Sequence, residues 1–286
     1  MAIKLIVTHK TPDLDAITSV WLLKRFDEQN FGEAQVAFVN PGDKISLEEL
    51  SDYSYQSYDV VHVDTGGGEF DHHDEELLAK RVCAASLVLQ HIHEIHPESK
   101  HDEALRQIVD HALDIDLYED VYWPERNETR NFFRMSEILP RLKNIGLEDE
   151  QIIEYGFVSL DAVYSHLKSL ALAKEELHEA TIFETKWGQA IALETQNVSF
   201  VPFAQRNGYP VVVRKDIEYG HIQIKALPKK KIDLSEIYEK ILKHDPRATW
   251  YFHPSKTMLI NGSDKRRNQV GSSLSLAQVI DILKNT

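Results

Sequence analysis

The sequence predicts an α/β protein with a parallel-sheet N-terminal domain, a helical connector and a smaller α/β C-terminal domain. Near the N-terminus, apolar valine-rich segments alternate with segments of helical periodicity, the pattern of a parallel sheet with crossover connections. Residues from Asp149 to about Glu179 contain few helix breakers and predict one long helix. From Ala190 onward the periodicity changes towards short strands. These three observations place the domains at residues 1–120, 121–184 and 185–286.

Composition limits the class of protein. The chain has 286 residues, enough for two domains with sizeable cores. Its net charge of −14 argues against a protein that coats duplex nucleic acid, because phosphate contacts need a basic surface. A nuclease is still compatible, because an Asp-rich site is acidic until metal ions fill it. The single cysteine, Cys83, excludes an intramolecular disulfide. No apolar run reaches the roughly 18 residues of a membrane helix, and no secretory signal begins the chain, so we expect a cytoplasmic protein without membrane contact.

The first third of the chain predicts alternating strands and helices. Residues 3–8 predict the first buried strand, and residues 34–39 and 58–63 predict the second and third. A helix follows the first strand, with Ala16 and Val20 in its apolar stripe. Because parallel strands point the same way, their carboxyl ends meet at one edge, where open α/β sheets bind ligands.

Polar side chains follow the first and third of these strands. The first strand leads into a turn with one imidazole and two carboxylates, and the third ends in a carboxylate. Three glycines then let the backbone turn in any direction before consecutive Asp, His and His residues. We predict that these turns form the wall of a site for two divalent metal ions. The residues concerned are His9, Asp13, Asp15, Asp64, Asp71, His72 and His73.

A further carboxylate is expected from the next part of the chain. Residues 84–95 predict one helix, and a second has Leu105 on its inner face. The second helix ends among acidic residues, one of which could complete the metal site. Asp116 is the first choice, and Asp114 and Asp110 are the alternatives.

The candidate ligands combine carboxylate oxygens with imidazole nitrogens. Such a mixture suits Mn²⁺, Fe²⁺, Co²⁺ or Zn²⁺, whereas Mg²⁺ prefers oxygen. One ion would be over-supplied, so we predict two ions about 3.5–4 Å apart that share a carboxylate and a water, an arrangement that promotes in-line phosphoryl displacement. We expect Mn²⁺, with Mg²⁺ or Co²⁺ as alternatives. The predicted metal ligands are His9, Asp13, Asp15, Asp64, His72 and Asp116.

The C-terminal region predicts short strands, a hairpin and two helices. The hairpin leads into a tail with several cations beside a glycine, where backbone N–H groups and arginine could bind phosphate. A solvated basic loop is the alternative interpretation. The predicted strands are 190–193, 211–213 and 221–224, the hairpin is 249–252 with 257–260, and the helices are 234–242 and 274–283. The predicted substrate-binding residues are His253, Lys256, Gly262, Ser263, Lys265, Arg266 and Arg267.

The N-terminal motifs resemble those of the DHH phosphoesterases. Three motifs occur in the order of that superfamily, namely His9-x-x-Pro12-Asp13-x-Asp15-Ala16, the strand-end Asp64, and Asp71-His72-His73. The superfamily includes RecJ-type exonucleases, oligoribonuclease-type nanoRNases, cyclic-dinucleotide phosphodiesterases and family II inorganic pyrophosphatases. The resemblance implies a DHH-type N-terminal domain that binds the metals and a second domain that grips the substrate.

The tail is similar to the Myg family, DHH-related proteins with RNA 3′–5′ exonuclease activity. There, a pattern like Phe252-His253-Pro254-Ser255 precedes Gly-Gly-x-Lys-x-Arg. Here the counterpart begins at Asn261, which replaces the first glycine, and the basic residues are shifted. The segment 64–73 also resembles the Myg pattern in shortened form, whereas the motif at 9–16 is the broader DHH version. The resemblance covers roughly residues 1–116 and 185–286.

The resemblance also implies a role for each site residue. One ion would be bound by His9, Asp13 and Asp64. The other would be bound by Asp15, Asp64, His72 and Asp116, with Asp64 as the bridge. The two catalytic residues would be His73, facing the phosphate and able to protonate the leaving group, and Asp71, orienting a ligating histidine.

Three functions are compatible with these patterns. The first is a metal-dependent 3′–5′ exonuclease that trims single-stranded RNA or short oligonucleotides. The second is a small-molecule phosphohydrolase acting on pyrophosphate, a dinucleotide or a cyclic dinucleotide. The third is a non-catalytic binding or regulatory protein that keeps the fold. Self-association into a homodimer is a further option for the partners.

Overall fold

Two separate β-sheets organise the chain. The computed structural model describes residues 4–53, 55–56, 59–74, 77, 80–124, 127–228, 231–262 and 269–286. The chain forms two compact units, Met1–Ser165 and His166–Thr286. The predicted α/β class is confirmed. The three-part division at residues 120 and 184 stays a prediction, and the first compact unit extends further along the chain than the predicted first domain.

The first unit contains a sheet of three parallel strands in the order β2-β1-β3. These are β1 (Leu5–His9), β2 (Gln35–Val39) and β3 (Val60–His62). Residues Ile3 and Tyr58, at which two predicted strands begin, lie outside the described residues. Because all three strands run the same way, their carboxyl ends share one edge. The parallel sheet predicted for the N-terminal domain is thus present, with helices between its strands.

Helices surround this sheet and connect its strands. The central one begins at Leu14 and is buried throughout its first ten residues, because it packs on other helices as well as on the sheet. The apolar stripe predicted from the sequence is therefore only part of its buried surface. The helices are α1 (Leu14–Phe26), α2 (Glu28–Phe31), α3 (Leu47–Asp52), α4 (Ala84–Ile95), α5 (Glu103–Asp116), α6 (Met135–Leu142) and α7 (Asp149–Glu179). Short 3₁₀ turns are Pro97–His101, Glu119–Tyr122, Thr129–Phe133 and Lys143–Ile145.

The long helix α7 has the bounds that the sequence predicts, and the two compact units divide within it. In the first unit, α7 packs closely on α1 at Gly156. A Cβ atom at this position would lie 2.4 Å from Ile17 Cγ2, so a side chain there would push the helices apart. Trp21 Nε1 also donates to Asp161 Oδ1 at 3.1 Å. This packing holds α1 in place, and with it Asp13 and Asp15 at the beginning of the helix.

The second unit contains a mixed sheet of six strands in the order β4-β5-β6-β7-β9-β8. The pair β5 and β6 is parallel, and the other neighbours are antiparallel. The strands are β4 (Thr181–Thr185), β5 (Gly188–Glu194), β6 (Val211–Lys215), β7 (Ile222–Ala226), β8 (Trp250–Phe252) and β9 (Met258–Asn261). The helices are α8 (Phe200–Arg206), α9 (Ser235–His244) and α10 (Leu276–Lys284).

Both faces of this sheet are covered. One face forms the larger core with residues of α9 and α10, and the other packs on α8 through Phe200 and Val201. The sequence pattern does not predict α8, which has only seven residues, or β4, most of which lies in the predicted connector. No described helix is both long and apolar enough to cross a membrane.

Candidate metal site

The candidate metal site lies at the carboxyl edge of the parallel sheet in the first unit. His9 is the last residue of β1, and Asp64 follows two residues after β3. Asp13 caps the N-terminus of α1, and Asp15 lies in its first turn. Asp116 is the last residue of α5. Four separate elements thus bring these side chains to one edge.

One group of side chains contains His9, Asp13 and Asp64. Nε2 of His9 lies 3.3 Å from Asp64 Oδ2 and 4.0 Å from Asp13 Oδ1. The other ring nitrogen, Nδ1, lies 3.0 Å from the Lys10 carbonyl oxygen, to which it can donate. In the neutral ring, that hydrogen bond favours the tautomer in which Nε2 carries the lone pair that a metal ion would need. One ligand atom from each of the three residues lies within 4.8 Å of the others, so the group could hold a metal ion.

A second group contains Asp15, His72 and Asp116. His72 lies between the two carboxylates, with Nε2 3.3 Å from Asp116 Oδ2 and Nδ1 3.8 Å from Asp15 Oδ2. All three side chains are largely buried. The residues that the resemblance assigns to the second ion therefore lie together.

Asp64 lies between the two groups. Its Oδ2 faces His9 at 3.3 Å, and its Oδ1 faces His72 Nδ1 at 3.5 Å. The same Oδ1 is 3.9 Å from His73 Nδ1. With one oxygen towards each group, Asp64 could offer a ligand atom to an ion in either group.

Two buried atoms at the centre of the site have no hydrogen-bond partner among the described residues. They are Asp64 Oδ1 and His72 Nδ1. A buried polar atom without a partner costs about 1–3 kcal/mol, so such atoms are rare unless a ligand satisfies them. A carboxylate oxygen and an imidazole nitrogen are both ligand atoms for divalent transition metals. The residues present therefore fit the predicted ions.

Asp15 is held in place by the N-terminus of α4. Its two carboxylate oxygens accept hydrogen bonds from the N–H groups of Ala84 and Ala85, each at 2.8 Å. The first N–H groups of a helix lack intrahelical partners and favour a negative charge. Both residues follow Cys83, whose thiol is also a hydrogen-bonding neighbour of Asp15. This support explains how a carboxylate that is only 2% exposed keeps one orientation.

The glycine segment after β3 is shaped by a histidine beneath it. Gly66 has a φ of +77°, and a Cβ atom there would lie 2.6 Å from the His62 ring. His62 Nε2 accepts a hydrogen bond from the Ile45 N–H at 3.1 Å, which fixes the ring. Gly67, with a φ of +62°, then donates its N–H to Asp71 Oδ2 at 2.6 Å. The glycines let the chain turn back over His62 and bring the Asp-His-His sequence to the sheet edge.

Asp71 orients the second histidine of that sequence. Its Oδ1 lies 2.7 Å from His73 Nδ1 and accepts the His73 backbone N–H at 3.2 Å. Burial raises the pKa of Asp71, but the hydrogen bonds from Gly67 and His73 outweigh this effect and lower the pKa below its ordinary value. Asp71 is therefore an ionised acceptor that holds the exposed His73 ring at the edge of the cluster.

The electrostatics of the cluster favour bound cations. Burial and the nearby charge of Asp64 raise the pKa of Asp15 to about 8. Burial lowers the pKa of His72, but Asp116 and the other carboxylates outweigh it and raise the pKa to about 9. Burial also lowers the pKa of His9, but the hydrogen bonds to Asp64 and Lys10 and the charges of Asp13 and Asp64 together outweigh it and raise the pKa to about 9. Each shift reflects crowded negative charge, which divalent cations would neutralise.

The cluster opens into a cavity of about 490 Å³. It is lined by Asp15, His72, His73, Asp116 and the mostly exposed Tyr118, all within the first unit. Five described non-glycine residues have a positive φ, and three of them lie around this site. They are Thr11, Asp64 and Tyr118. Such backbone conformations cost energy and cluster at functional sites.

The three carboxylates considered for the last ligand position have different surroundings. Asp114 pairs with Arg81 at 2.5 Å, and Asp110 pairs with Arg106 at 2.5 Å. Only Asp116 contacts the histidine cluster. This geometry favours the first choice made from the sequence.

The predicted substrate-binding residues of the second unit do not form one cluster in the described part of the chain. His253 and Lys256 lie in the turn before β9, where Lys256 pairs with Asp233 at 3.1 Å. Gly262 follows the other end of β9, roughly 13 Å away for four residues at about 3.3 Å each. Ser263, Lys265, Arg266 and Arg267 lie outside the described residues.

Asn261, which replaces a glycine of the Myg pattern, has a structural role that the sequence analysis did not find. Its side chain is fully buried. Nδ2 donates to the carbonyl oxygens of Thr249 and Val270, each at 2.9 Å, and Oδ1 accepts the Ser272 N–H at 2.7 Å. The carboxamide thus joins the start of β8 to the chain that follows the basic tail.

Sequence reasoning also missed Tyr118 and the helix N-terminus that supports Asp15. The only local signal for Tyr118 was its position two residues after Asp116. Nothing in the sequence pattern links Ala84 and Ala85 to Asp15, because that contact joins segments about 70 residues apart.

Comparison with known proteins gives weak similarities. No family model and no curated protein matches the chain. A solved DHH domain, described as a member of the s1p family of ribosomal proteins, is 13% identical with a TM-score of 0.33, over 99% of this chain and 86% of that one. RecJ from Thermus thermophilus in complex with Mg²⁺ is 14% identical with a TM-score of 0.32, and the match spans 99% of this chain but 49% of RecJ. An exonuclease RecJ bound to manganese is 15% identical with a TM-score of 0.29, over 92% and 86% of the two chains. Similarities of this strength do not transfer a function to this chain.

Proposed function

We propose that this protein is a divalent-metal-dependent phosphoesterase that removes nucleotides from single-stranded RNA or short oligonucleotides in the 3′ to 5′ direction. One observation carries the proposal. Asp64 lies buried between two histidine-carboxylate groups, with one oxygen facing each and with Oδ1 lacking a hydrogen-bond partner among the described residues. The motif resemblance to the DHH phosphoesterases, and of the tail to the Myg family, supports the same reading.

Two ions are proposed for this site. His9, Asp13 and Asp64 would hold one, and the residues around His72 would hold the other with Asp64 shared. The mixed ligands favour Mn²⁺, with Mg²⁺ or Co²⁺ as alternatives. When bound, such ions activate water and neutralise charge on a phosphoryl group.

The protein's own side chains position the substrate and move the proton. His73 Nδ1 is engaged by Asp71, so Nε2 is the atom that can donate a proton to the leaving oxygen. Asp71 holds the ring throughout, because it is itself fixed by the Gly67 N–H. Asp15 keeps its orientation through the two N–H groups of α4.

The substrate is proposed to be short and single-stranded. With a net charge of −14, the protein gains little from long-range attraction to a phosphate backbone, so local contacts must supply the affinity. The C-terminal residues are proposed to bind substrate phosphates. They are His253, Lys256, Gly262, Ser263, Lys265, Arg266 and Arg267.

A small-molecule phosphohydrolase is the second candidate. The motif from His9 to Asp15 is as close to the pyrophosphatases as to the nucleases. A cavity of about 490 Å³ is also large enough for pyrophosphate or a dinucleotide. This candidate predicts phosphate release from pyrophosphate with the same metal dependence.

The test is hydrolysis of 5′-labelled oligoribonucleotides with Mn²⁺, Mg²⁺ or Co²⁺ by the full chain and by two variants. His72→Ala removes a proposed ligand. His91→Ala is the matched control, because His91 also contacts a buried carboxylate, Asp27 at 2.9 Å, but lies outside the cluster. We expect a ladder of products with the wild type and His91→Ala, and at least about a 10²-fold loss with His72→Ala.

Three results would count against the proposal. No product with any divalent ion would remove it. Faster release of phosphate from pyrophosphate than of nucleotides would favour the second candidate. Equal losses in both histidine variants, with both still folded, would separate the activity from the cluster.

A further inference from the structure

Tyr118 lies at the rim of the candidate metal cavity with its side chain directed to solvent. It follows two residues after Asp116, the last residue of α5, and lines the same cavity. The residue is 77% exposed. Within the part of the chain that the structure describes, its hydroxyl makes no hydrogen bond. A large aromatic side chain is thus presented beside the cluster without a structural contact that would explain it.

The backbone of Tyr118 has a conformation that is unfavourable for tyrosine. Its φ is +55° and its ψ is +21°, a left-handed conformation that bulky residues rarely adopt. Glycine or asparagine would adopt it at lower cost. A strained tyrosine whose side chain is mostly exposed indicates a role for the ring outside the folded core.

Further exposed aromatic rings lie along the segments after Tyr118. Tyr122 is 85% exposed and Phe133 is 77% exposed. Their chain neighbours, Trp123 and Arg134, are in contact, with the guanidinium carbon 4.6 Å from the ring centroid. That contact joins the ends of the two 3₁₀ turns that carry Tyr122 and Phe133.

This aromatic region is fixed to the helix that carries Asp116. Trp123 also stacks on His111 of α5, with centroids 5.3 Å apart and an interplanar angle of 25°. The chain that carries Tyr122 and Phe133 is therefore attached, through Trp123, to the helix that ends at Asp116.

We propose that Tyr118 stacks on a nucleobase of the substrate whose phosphate occupies the metal cavity, and that Tyr122 and Phe133 extend this surface for the adjoining bases. The inference rests on the proposed phosphoesterase function and identifies its ligand as a single-stranded oligonucleotide. Base stacking on aromatic rings does not depend on sequence or on a basic surface. Stacking would therefore supply affinity for the substrate in an acidic protein. Pyrophosphate has no base, so it would make no contact of this kind with the rings.

The test compares two substrates that differ only in their bases. One is a 5′-phosphorylated adenine dinucleotide, and the other is the same dinucleotide with both bases removed. Tyr118→Asn removes the ring and tolerates the left-handed backbone, whereas Tyr118→Phe keeps the ring. Tyr155→Ala on α7, which removes a 40% exposed tyrosine, is the control.

We expect Tyr118→Asn to raise KM for the adenine dinucleotide by about 5- to 150-fold, with KM for the abasic dinucleotide changed less than about twofold. Tyr118→Phe and Tyr155→Ala should stay within about threefold of the wild type on both substrates. The melting temperature of Tyr118→Asn should be equal to or above that of the wild type, because the strain is relieved. If Tyr118 had only a structural role, the substitution would lower the melting temperature.

The possible outcomes distinguish a failure of the proposed function from a failure of the proposed base stacking. If the wild type cleaves neither dinucleotide with any divalent ion, the proposed function fails. If it cleaves both and Tyr118→Asn affects them equally, the function stands and stacking is wrong. If Tyr118→Asn alters only the sedimentation of the protein, the exposed rings form a contact between two copies and the stacking proposal is overturned.

Discussion

The two predicted sites differ in how sequence distance relates to distance in space. The metal ligands come from β1, α1, the segment after β3, and the end of α5, yet they meet within a few ångströms. The predicted substrate-binding residues come from one short segment, yet His253 and Gly262 lie at opposite ends of β9. Closeness in sequence was therefore the weaker guide to a shared site.

The reason lies in the two sheets. Parallel strands carry the residues that follow them to one edge, so separate turns converge there. In an antiparallel hairpin the turn lies at one end of the strand and the following loop at the other, so the strand itself separates them. The predicted residues of the parallel sheet therefore lie together, whereas His253 and Gly262 lie apart.

The glycines of the two regions show a further contrast. Gly66 turns over the His62 ring, and Gly262, with a φ of +74°, lies over the ring of the buried His221, 2.1 Å from Cδ2 for an added Cβ. Both glycines are thus required by a histidine beneath them. A glycine beside basic residues does not by itself indicate a phosphate contact, since packing already explains it.

The largest effect is expected at Asp64. Asp64→Asn should lower metal-dependent hydrolysis by at least about 10²-fold, because the buried carboxylate between the two groups loses its charge. It should also remove most of the stabilisation by Mn²⁺, which for the wild type is about 2.7 kcal/mol at a concentration 100 times Kd. Thermal unfolding with and without Mn²⁺, beside a hydrolysis assay, measures both effects.

Asp114→Asn is the matched control for this change. Asp114 belongs to the same acidic region but pairs with Arg81 at a partly exposed position. Its loss should change unfolding by less than about 1 kcal/mol and hydrolysis by less than about threefold. Equal losses of activity in the two variants would contradict the assignment of Asp64 to the centre of the site.

A smaller effect, on stability, is expected in the second unit at Asn261. Asn261→Asp should lower the free energy of unfolding by about 2–4 kcal/mol, because a carboxylate oxygen would then face the carbonyl oxygens of Thr249 and Val270. Asn207→Asp, at an exposed residue with one such hydrogen bond, should change it by less than about 1 kcal/mol. Urea unfolding of the full chain distinguishes them, and similar values for both would show that the buried network is not required.

The smallest effect on stability is expected at Lys256. Lys256→Gln should change the free energy of unfolding by less than about 1 kcal/mol, because its ion pair with Asp233 is about half exposed on both sides. If the turn binds a substrate phosphate, KM should rise at least about fivefold. Lys186→Gln removes a similar exposed pair, with Glu236, and is the control. The same KM in both variants would leave the turn before β9 outside the substrate site.

Much of the fold follows from local patterns. The scarcity of helix breakers between Asp149 and Glu179 predicts the bounds of α7, and apolar segments predict strands β1, β2, β5, β6 and β7 within a few residues. The elements that were missed are short. The helix α8 has seven residues, too few for a clear helical period. The strand β4 begins two residues after the last residue of α7, and no proline or glycine marks the boundary between them.

The sequence predicts that the candidate metal ligands share one sheet edge, for a simple geometric reason. Turn residues after parallel strands are bound to share an edge, so His9 and Asp64 could be paired from sequence. Which of Asp110, Asp114 and Asp116 faces the cluster could not be decided, because that depends on the rotation of the end of α5 and on where Arg81 and Arg106 lie. No local sequence pattern indicates the left-handed backbone of Tyr118 or the hydrogen bonds from the start of α4 to Asp15.

By itself, the sequence determined the α/β class, the strand-end positions of the carboxylates and imidazoles, and the type of metal chemistry they suit. Each of these depends on side-chain type and on periodicity along the chain, which are local properties. Only the tertiary structure decided that Asp64 lies between two ligand groups, that Asp116 rather than its neighbours faces His72, and that the hairpin turn and Gly262 are apart. Those facts depend on packing between segments distant in sequence, where burial and excluded volume select one arrangement from many that the local pattern allows.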